Sequence, residues 1–394
     1  MQIRELFLRH LAQTTPFPLQ IEIERAQGSY MYGPEGKSYL DLISGIGVSS
    51  IGHRHPKVIA AIHAQLEKHL HVMVYGEMVQ GAQVQLAQAL AATLPLGLES
   101  VYLVNSGSEA AEGAMKLAKR FTGRSEIITC TDAYHGSTQG ALSAGGNEGL
   151  KQAYRPLIPG FRHIGFGNTD DLQYINNQTA AVLIETVQGE AGVRVADDAY
   201  FTALRRKCDE TGALLILDEI QCGMGRTGKF WAFEHYNIMP DILLTAKALG
   251  GGMPIGAFIA KPGVMQAFTE NPMLGHISTF GGHPVSAAAA LATLHAIQEE
   301  NLLKGVEAKA ALFKTLLQHP EIKEIRNCGL MMAAEFESFA RLQAVILRSL
   351  DKGLLTDWFL FCDNSMRIAP PLNISESEIE FACRVILEAV EETR

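Results

Sequence analysis

The sequence predicts a doubly wound α/β domain joined to a smaller α+β domain. The chain has 394 residues, more than the roughly 250–300 residues over which one hydrophobic core keeps growing. Between about residues 57 and 300, short apolar runs alternate with helical patterns, as in sheets whose strands are joined by crossover helices. After about residue 300, helices dominate and strands are fewer and shorter, up to a helix near 376–392.

The same changes of pattern divide the chain into three parts. Residues 1–50 contain short strand-like pieces broken by glycine, at 29–32 and 37–42, and we expect this segment to join the small domain. Residues 51–300 form the expected large, ligand-binding domain. Residues 301–394 form the expected small C-terminal domain.

The apolar runs of the large domain are short and nearly continuous, which is typical of parallel strands covered on both faces. They are residues 101–104, 126–130, 180–185, 213–218 and 241–245, with helical patterns between them at 108–121 and 199–210. Open α/β sheets bind their ligands beyond the carboxyl ends of the strands. We therefore expect the functional residues to follow these runs directly.

Composition and charge exclude several classes of function. Hydrophobic residues make up 47% and charged residues 19% of the chain, and the formal net charge is −9. A globular protein with this charge is unsuited to nucleic acid or an anionic membrane as its main partner. The N-terminus does not resemble a secretory signal, and no stretch approaches the ~20 apolar residues of a membrane span. We expect a cytosolic protein.

The cysteines indicate neither a metal site nor a redox pair. None of the six forms a C-x-x-C with another, the local spacing that such sites use. We expect no metal and six reduced thiols, as in a reducing compartment. They are Cys130, Cys208, Cys222, Cys328, Cys362 and Cys383.

Small residues follow the run at 101–104 and begin a helix. Ser106 and Glu109 fit a capping box, so a well-capped helix is one interpretation. In the other, Gly107 lets a ligand approach the backbone, and Ser106, Gly107 and Ser108 hold a phosphate at the helix N-terminus. The motif alone leaves both interpretations open.

Aromatic and acidic residues follow the next two runs. Tyr134 and His135 lie on a loop bounded by Gly136, where the tyrosine could stack on a flat ring or pack on its own domain. Glu185 and Glu190 follow the run at 180–185. Buried acids are costly unless they are paired, so ion pairs or helix caps are the alternative to a binding role.

The run at 213–218 ends in Asp218-Glu219, which also resembles a Walker B motif. An ATPase is disfavoured because neither candidate P-loop, at 31–38 or 223–230, has every required glycine, lysine and hydroxyl. Gly223–Gly228 matches G-x-G-x-x-G, the signature of a nicotinamide-binding fold, but no clear crossover helix follows it. An oxidoreductase remains as the alternative from another class.

Lys247 closes the run at 241–245 and precedes three glycines. Desolvation lowers the pKa of a lysine and makes its amine nucleophilic, as a Schiff base requires. A lysine on an exposed loop is the alternative interpretation.

Together these motifs resemble the class III (ω-amino acid) aminotransferases, which are fold-type I enzymes dependent on pyridoxal 5'-phosphate (PLP). The resemblance runs from residues 33–41 through 52–56 to 367–372, and its most specific element is Asp-Glu-Ile-Gln at 218–221 with Lys247 29 residues after Asp218. Acetylornithine, ornithine and 4-aminobutyrate aminotransferases are the expected nearest relatives. The resemblance implies that the large domain binds PLP.

The resemblance also implies roles at the cofactor. Lys247 would hold PLP as a Schiff base and move a proton, and Asp218 would pair with the pyridinium nitrogen, which keeps the ring able to accept electrons. Gln221 would bind the ring oxygen, and Tyr134 and Ile220 would enclose the ring. The other expected cofactor-binding residues are Ser106, Gly107, Ser108, His135, Glu185 and, from the neighbouring subunit of a homodimer, Thr279.

At the substrate, the resemblance implies that Arg367 binds a carboxylate with its bidentate fork. Glu190 would neutralise Arg367 while an ω-amine donor reacts, and would swing away for glutamate or 2-oxoglutarate. Ser137 departs from the pattern, because many relatives have there an arginine that binds a distal carboxylate. The segment 44–48, which contains Ile46, instead resembles that of the 4-aminobutyrate enzymes. These two indications disagree, so the identity of the amino donor stays open.

We therefore expect a homodimeric aminotransferase that transfers an amino group to 2-oxoglutarate in a ping-pong cycle. The donor would be ornithine-, acylornithine- or 4-aminobutyrate-like and would react at its terminal amine. A PLP-dependent aminomutase or decarboxylase is the nearest alternative, although neither needs a switch such as Glu190. A PLP-binding protein without turnover is a further alternative.

Overall fold

The computed structural model describes residues 3–74 and 76–394, with the side chain of Glu35 left out. Within these residues, the α-helices are α1 (Ile3–His10), α2 (Ser44–Gly47), α3 (Pro56–Leu66), α4 (Gly81–Ala91), α5 (Gly107–Thr122), α6 (Gln139–Ala144), α7 (Glu148–Lys151), α8 (Asp198–Thr211), α9 (Pro262–Met265), α10 (Pro284–Glu299), α11 (Val306–Leu316), α12 (Phe339–Asp351) and α13 (Glu376–Glu392).

The strands form one large sheet and two small ones. They are β1 (Arg25–Gln27), β2 (Tyr30–Tyr32), β3 (Ser38–Asp41), β4 (Ser100–Val104), β5 (Glu126–Cys130), β6 (Phe161–Ile164), β7 (Thr179–Glu185), β8 (Leu214–Asp218), β9 (Ile242–Thr245), β10 (Gly256–Ala260), β11 (Glu324–Cys328), β12 (Met331–Glu335), β13 (Leu354–Leu355), β14 (Asp357–Phe359) and β15 (Cys362–Ile368).

The large sheet has seven strands in the order β4-β10-β9-β8-β7-β5-β6. The neighbours from β9 to β6 pair in parallel, whereas β10 is antiparallel to both β4 and β9. Successive residues of each strand enter different cores: Leu214 and Ile216 pack with α5, and Leu215 and Leu217 pack with α8 and α10 on the other face. Helices therefore cover both faces, which confirms the predicted doubly wound, mostly parallel α/β sheet.

All five predicted strands of the large domain are present, and two strands were missed. The segment that forms β6, Phe-Arg-His-Ile, lies at the edge of the sheet and is too polar for a continuous apolar run. The segment that forms β10, Gly-Ala-Phe-Ile-Ala, is fully buried but contains glycine and alanine, which have low strand propensity. Its position between two strands comes from tertiary packing.

One of the two small sheets connects the two ends of the chain. One has the order β1-β2-β3-β13 and the other β11-β12-β15-β14. β3 pairs in parallel with β13, and Leu40 and Leu42 pack in the core formed by α11, α12 and α13. These contacts support our proposal that residues 1–50 join residues 301–394. No helix in the described part of the chain is long and apolar enough to cross a membrane.

Candidate active site

A cavity of ≈ 410 Å³ opens at the carboxyl ends of the parallel strands. This volume suits a small ligand, since such sites measure roughly 300–1,000 Å³. Its walls include ten of the predicted site residues: Ser106, Gly107, Ser108, Tyr134, His135, Glu185, Asp218, Ile220, Gln221 and Lys247. The strand ends thus gather residues that are up to 141 positions apart in the sequence.

Lys247 begins a short 3-10 helix, Lys247–Gly250, directly after β9. Its φ angle is 43°, a left-handed conformation that costs free energy for a residue with a side chain and is concentrated at functional sites. Burial lowers the pKa of the Lys247 amine, while Glu190 and Asp218 oppose that shift and Arg367 adds to it. The side chain is therefore a desolvated amine on the wall of the cavity, rather than a loop lysine in solvent.

Asp218 is held in place by two hydrogen bonds. Its Oδ2 lies 2.8 Å from Nδ1 of His135, and its Oδ1 accepts from the backbone N–H of Ile220 at 3.0 Å. His135 is itself buried, and its Nε2 has no hydrogen-bond partner among the described residues. His135 therefore orients the Asp218 carboxylate towards the cavity that both residues line.

Glu185 is the second acid of the cavity wall. It is 6% exposed, and its Oε2 has no hydrogen-bond partner within the described chain. Burial raises the pKa of Glu185 well above its usual value, and the neighbouring Asp218 and Glu190 add to the shift. Deprotonation of Glu185 is accordingly disfavoured, and in its protonated form the carboxyl group can donate a hydrogen bond.

The N-terminus of α5 forms another part of the wall. The N–H of Glu109 donates to Ser106 Oγ at 3.2 Å, and the N–H of Ala110 donates to the Ser106 carbonyl, so the N–H groups of Gly107 and Ser108 precede the first hydrogen bonds of the helix. The Ser106 half of the predicted capping box is therefore present together with an anion-binding terminus, whereas the Glu109 carboxylate accepts from the N–H of Asn105 rather than that of Ser106. A Cβ atom on Gly107 would lie 2.9 Å from Cδ1 of Ile220, so a larger residue here would displace the Ile220 side chain.

These features fit PLP. The α5 terminus suits its phosphate, the Asp218 carboxylate suits a pyridinium nitrogen, and Lys247 suits the aldehyde. Tyr134 and Ile220 both line the cavity, as residues that enclose a ring must. Gly136 (φ 130°) is also required, because a Cβ atom there would lie 2.0 Å from Ser108 Oγ.

Arg367 and Glu190 form a bidentate ion pair, with Nη1–Oε1 and Nη2–Oε2 distances of 3.0 Å. Both side chains are about 95% buried. Burial alone would raise the pKa of Glu190, but the charge and hydrogen bonds of Arg367 lower it to about 2. Gln221 Nε2 donates to Glu190 Oε1 at 3.1 Å, which connects the pair to the cavity wall.

Five predicted residues lie outside the cavity lining. Besides Arg367 and Glu190, these are Thr279, which is exposed, Ile46, which is 37% exposed, and Ser137, whose Oγ lies 3.2 Å from the Tyr134 hydroxyl. Thr279 was predicted to reach the phosphate site of a neighbouring subunit. Its position outside this cavity lining is compatible with that prediction, which the single chain does not test.

Sequence reasoning missed several residues near the site. The lining also includes Val48, Asn105, Gly136, Ala246, Gly252, Met253, Pro254 and Ile255. Asp357 was missed as well, although its Oδ1 accepts from Nε of Arg367 at 2.9 Å. Asp357 is opposite Arg367 in a β-hairpin. The sequence could have indicated this contact only if the register of the two strands had been known.

The G-x-G-x-x-G match at 223–228 does not form a nicotinamide site. It follows β8 as a turn, and the only helix between it and β9 in this fully described segment is the 3-10 helix Ala232–His235. Its arginine, Arg226, is buried and donates to Ser50 Oγ and to the carbonyls of Leu330 and Pro370. The motif thus joins remote segments of the chain.

Comparisons with known proteins agree with this site. The family model described as Aminotransferase class-III matches residues 12–390. The chain is 40% identical over 396 residues to the acetylornithine aminotransferase of Methanopyrus kandleri, covering 99% of each chain. It is 41% identical to the putrescine aminotransferase of Pectobacterium atrosepticum, covering 93% of this chain and 81% of the relative.

Solved structures agree as well. The ornithine aminotransferase from Toxoplasma gondii, described with PLP at its active site, superposes with a TM-score of 0.92 at 29% identity, covering 99% of this chain and 94% of that one. The family match spans nearly the whole chain, and the cavity has the groups that the cofactor of this family requires. The chain therefore belongs to the class-III aminotransferases and is a PLP-dependent enzyme of fold type I.

Proposed function

We propose that this enzyme transfers the terminal amino group of an ω-amine donor to 2-oxoglutarate in a ping-pong cycle. The observation that carries the proposal is the buried bidentate pair of Arg367 and Glu190. A site that accepts two dissimilar substrates in turn needs a carboxylate receptor that can be closed and opened. Arg367 is that receptor, and Glu190 closes it.

We assign each residue of the cavity a separate role at the cofactor. When bound, PLP supplies an electrophilic carbon and an electron sink. Lys247 would hold the cofactor through its amine, and the same desolvated amine would move the proton at the substrate carbon, a task for a group with a lowered pKa. Asp218, oriented by His135, would hold the proton on the ring nitrogen, and Gln221 would hydrogen-bond the ring oxygen.

Ser106, Gly107 and Ser108 would bind the phosphate at the N-terminus of α5, and Glu185, when protonated, would donate a hydrogen bond from its unpartnered Oε2. Tyr134 and Ile220 would enclose the ring. Because Gly107 packs directly against Ile220, the phosphate site and one wall of the ring site are built as a unit.

Two residues bear on the donor. Ser137 offers a hydroxyl where many relatives have arginine, so the outer pocket lacks that charge for a distal carboxylate, and Ile46 contributes an exposed apolar side chain. A donor without a distal carboxylate, such as a diamine, suits these residues better than 4-aminobutyrate or an ornithine-like compound, each of which has a carboxylate distal to the reacting amine. The relative named for putrescine, which is a diamine, is in keeping with such a donor.

The enzyme acts as a homodimer in this proposal, and Thr279 of each subunit reaches the phosphate site of the other. Large apolar side chains near Thr279 are exposed in the single chain, among them Ile277 at 51% and Phe280 at 53%, as expected of a surface covered by a second copy. The six free cysteines suit the reducing environment of the cytoplasm.

The visible absorption spectrum of the purified holoenzyme tests this function. We expect a yellow band that bleaches with glutamate and returns with 2-oxoglutarate, and that also bleaches with the physiological donor in a screen of diamines and ω-amino acids. Lys247→Ala is the matched control and gives no such cycle. A wild-type band that glutamate leaves unchanged would contradict the proposed acceptor.

A further inference from the structure

Arg367 is held from two different parts of the fold. Glu190, on the loop after β7, occupies the outer edge of the guanidinium through Nη1 and Nη2. Asp357 accepts from Nε at 2.9 Å, on another edge of the same group. One arginine is thus shared by two carboxylates that approach it from different sides.

The partners on the Nε side all come from one short stretch, Thr356–Phe359. Nη2 also donates to the carbonyl of Trp358 at 3.2 Å, and the guanidinium carbon lies 4.4 Å from the centre of the Phe359 ring. Thr356 Oγ1 donates to the backbone carbonyl of Arg367 at 2.6 Å. Four consecutive residues therefore contact Arg367.

Strand pairing fixes this arrangement. Asp357 and Arg367 are directly opposite in the antiparallel pair of β14 and β15, a geometry that brings two side chains on the same face into contact. β15 is paired on its other side with β12, where Ala333 is opposite Arg367. Asp357 and Arg367 consequently belong to one hydrogen-bonded sheet.

Glu190 is attached differently. The loop that contains Glu190 includes no strand of that sheet. Apart from Arg367, the Glu190 carboxylate accepts single hydrogen bonds from the N–H of Leu360 and from Nε2 of Gln221. The Glu190 backbone carbonyl accepts one from the N–H of Phe361. When the Glu190 carboxylate leaves, the Nη edge opens, while Nε and one Nη2 hydrogen keep their partners.

We propose that Asp357 is a positioning residue that anchors the guanidinium of Arg367, so that Glu190 and a substrate carboxylate exchange on the free Nη edge while the arginine stays in place. This inference rests on the proposed function of Arg367 and Glu190. It identifies Glu190 as the moving part of the switch and names the residue that keeps Arg367 from following it.

The charge of Asp357 has little influence on the exchange itself. Glu190 and the incoming carboxylate occupy the same edge, so Asp357 repels both to a similar degree. Asp357 supplies a fixed acceptor for Nε of Arg367. Without that hydrogen bond, the arginine side chain would have more conformational freedom to lose when it binds a carboxylate. Asparagine can supply the same acceptor without the charge, whereas alanine cannot.

The test compares Asp357→Ala and Asp357→Asn with wild-type holoenzyme at pH 8, and with Asp363→Ala, which removes an exposed carboxylate from β15. Stopped-flow absorbance gives the apparent Kd and limiting rate of the glutamate half-reaction. Two trapping reagents give a second readout: aminooxyacetate, which has a carboxylate, and O-ethylhydroxylamine, which has none.

For Asp357→Ala we expect a rise of about 10-fold or more in the apparent Kd for glutamate, on the scale of a misplaced binding group. Trapping by aminooxyacetate slows in proportion, while trapping by O-ethylhydroxylamine stays within about twofold of wild type. Asp357→Asn should retain most of the wild-type affinity for glutamate, and Asp363→Ala should behave as wild type.

Equal slowing with both trapping reagents would mean that Asp357 only supports the fold, and an unchanged Kd in Asp357→Ala would overturn the anchor. If glutamate fails to bleach even the wild-type band, the proposed acceptor is wrong. The two trapping reagents then still decide whether Asp357 positions Arg367.

Discussion

Glu185 and Asp218 are paired directly in the large sheet, because their Cα atoms are partners at the carboxyl ends of the parallel strands β7 and β8. Two neighbouring buried carboxyl groups do not both ionise readily. Asp218 has the partners of an ionised carboxylate, His135 and the N–H of Ile220. Glu185 has a raised pKa, and its Oε2 has no hydrogen-bond partner among the described residues. A negative charge is therefore better stabilised on Asp218 than on Glu185.

This division of charge predicts opposite outcomes for two similar substitutions. Glu185→Gln resembles the neutral acid, and we expect kcat/KM within about fivefold of wild type, on the scale of about 1 kcal/mol for one altered hydrogen bond. Asp218→Asn removes the charge opposite the ring nitrogen, and we expect a loss of about 10²-fold or more. Steady-state kinetics with PLP-saturated enzyme measure both. Equal losses would contradict the assignment of charge.

A pH dependence of stability follows from Glu219, the neighbour of Asp218. Burial raises the pKa of this carboxyl to about 7, although hydrogen bonds from Thr186 and from the N–H groups of Ala232 and Phe233 oppose the shift. The unfolded value is about 4.3, so the folded protein binds more protons between these values. The resulting stabilisation is complete below about pH 4.3 and is lost as pH rises to about 7.

We therefore expect Glu219→Gln to flatten this part of the profile. The measurement is the free energy of unfolding, or Tm, of PLP-saturated protein at intervals from pH 5 to 8. Glu210→Gln, at an exposed position, serves as the control and should follow the wild type. A wild-type profile that rises across this range, and is unaltered in Glu219→Gln, would show that Glu219 is ionised throughout.

Much of the fold and site followed from the sequence because the signals were local. The runs that became β4, β7, β8 and β9 were visible, and each predicted a binding residue just after its end. The strand β10 was not predictable, since its position between β4 and β9 depends on packing against strands distant in the sequence.

Long-range contacts explain the other omissions. The contact of Asp357 with Arg367 depends on the register of β14 and β15. The role of Arg226 depends on three segments that meet only in the folded chain, at Ser50, Leu330 and Pro370. Neither relationship has a periodic or spacing signal, so the sequence alone could not indicate them.

Glu190→Gln tests the switch. The amide loses the charge that holds Arg367 closed, so a substrate carboxylate no longer competes with an ion pair. We expect the apparent Kd for glutamate to fall by about tenfold, equivalent to 1.4 kcal/mol, and reaction with a carboxylate-free diamine to slow. Half-reactions followed by absorbance separate the two effects. Glu337→Gln, an exposed site, is the control, and a weaker affinity for glutamate would contradict the switch.

The proposed dimer predicts the effect of a charge in the exposed apolar surface near Thr279. Ile277→Asp should convert dimers to monomers, because burying an unpaired carboxylate in an interface is unfavourable. PLP should then dissociate more readily, since Thr279 no longer reaches the other subunit's site. Sedimentation velocity and cofactor absorbance measure these two changes. Val195→Asp, at a site 49% exposed elsewhere on the large domain, should leave both unchanged, and a dimer that survives Ile277→Asp would exclude this surface as the interface.

Ser137→Arg tests which donors the outer pocket accepts. The Ser137 hydroxyl lies 3.2 Å from that of Tyr134, which lines the cavity, and an arginine there could form a charge-assisted pair with a distal carboxylate. We expect the KM for 4-aminobutyrate to fall by about tenfold, or 1.4 kcal/mol, while the KM for a diamine rises because like charges repel. Ser137→Ala, which adds no charge, should produce neither change. Initial rates with the two donors at saturating 2-oxoglutarate decide the matter: if 4-aminobutyrate gains nothing from the arginine, its carboxylate does not reach residue 137, and donor selection must reside deeper in the pocket.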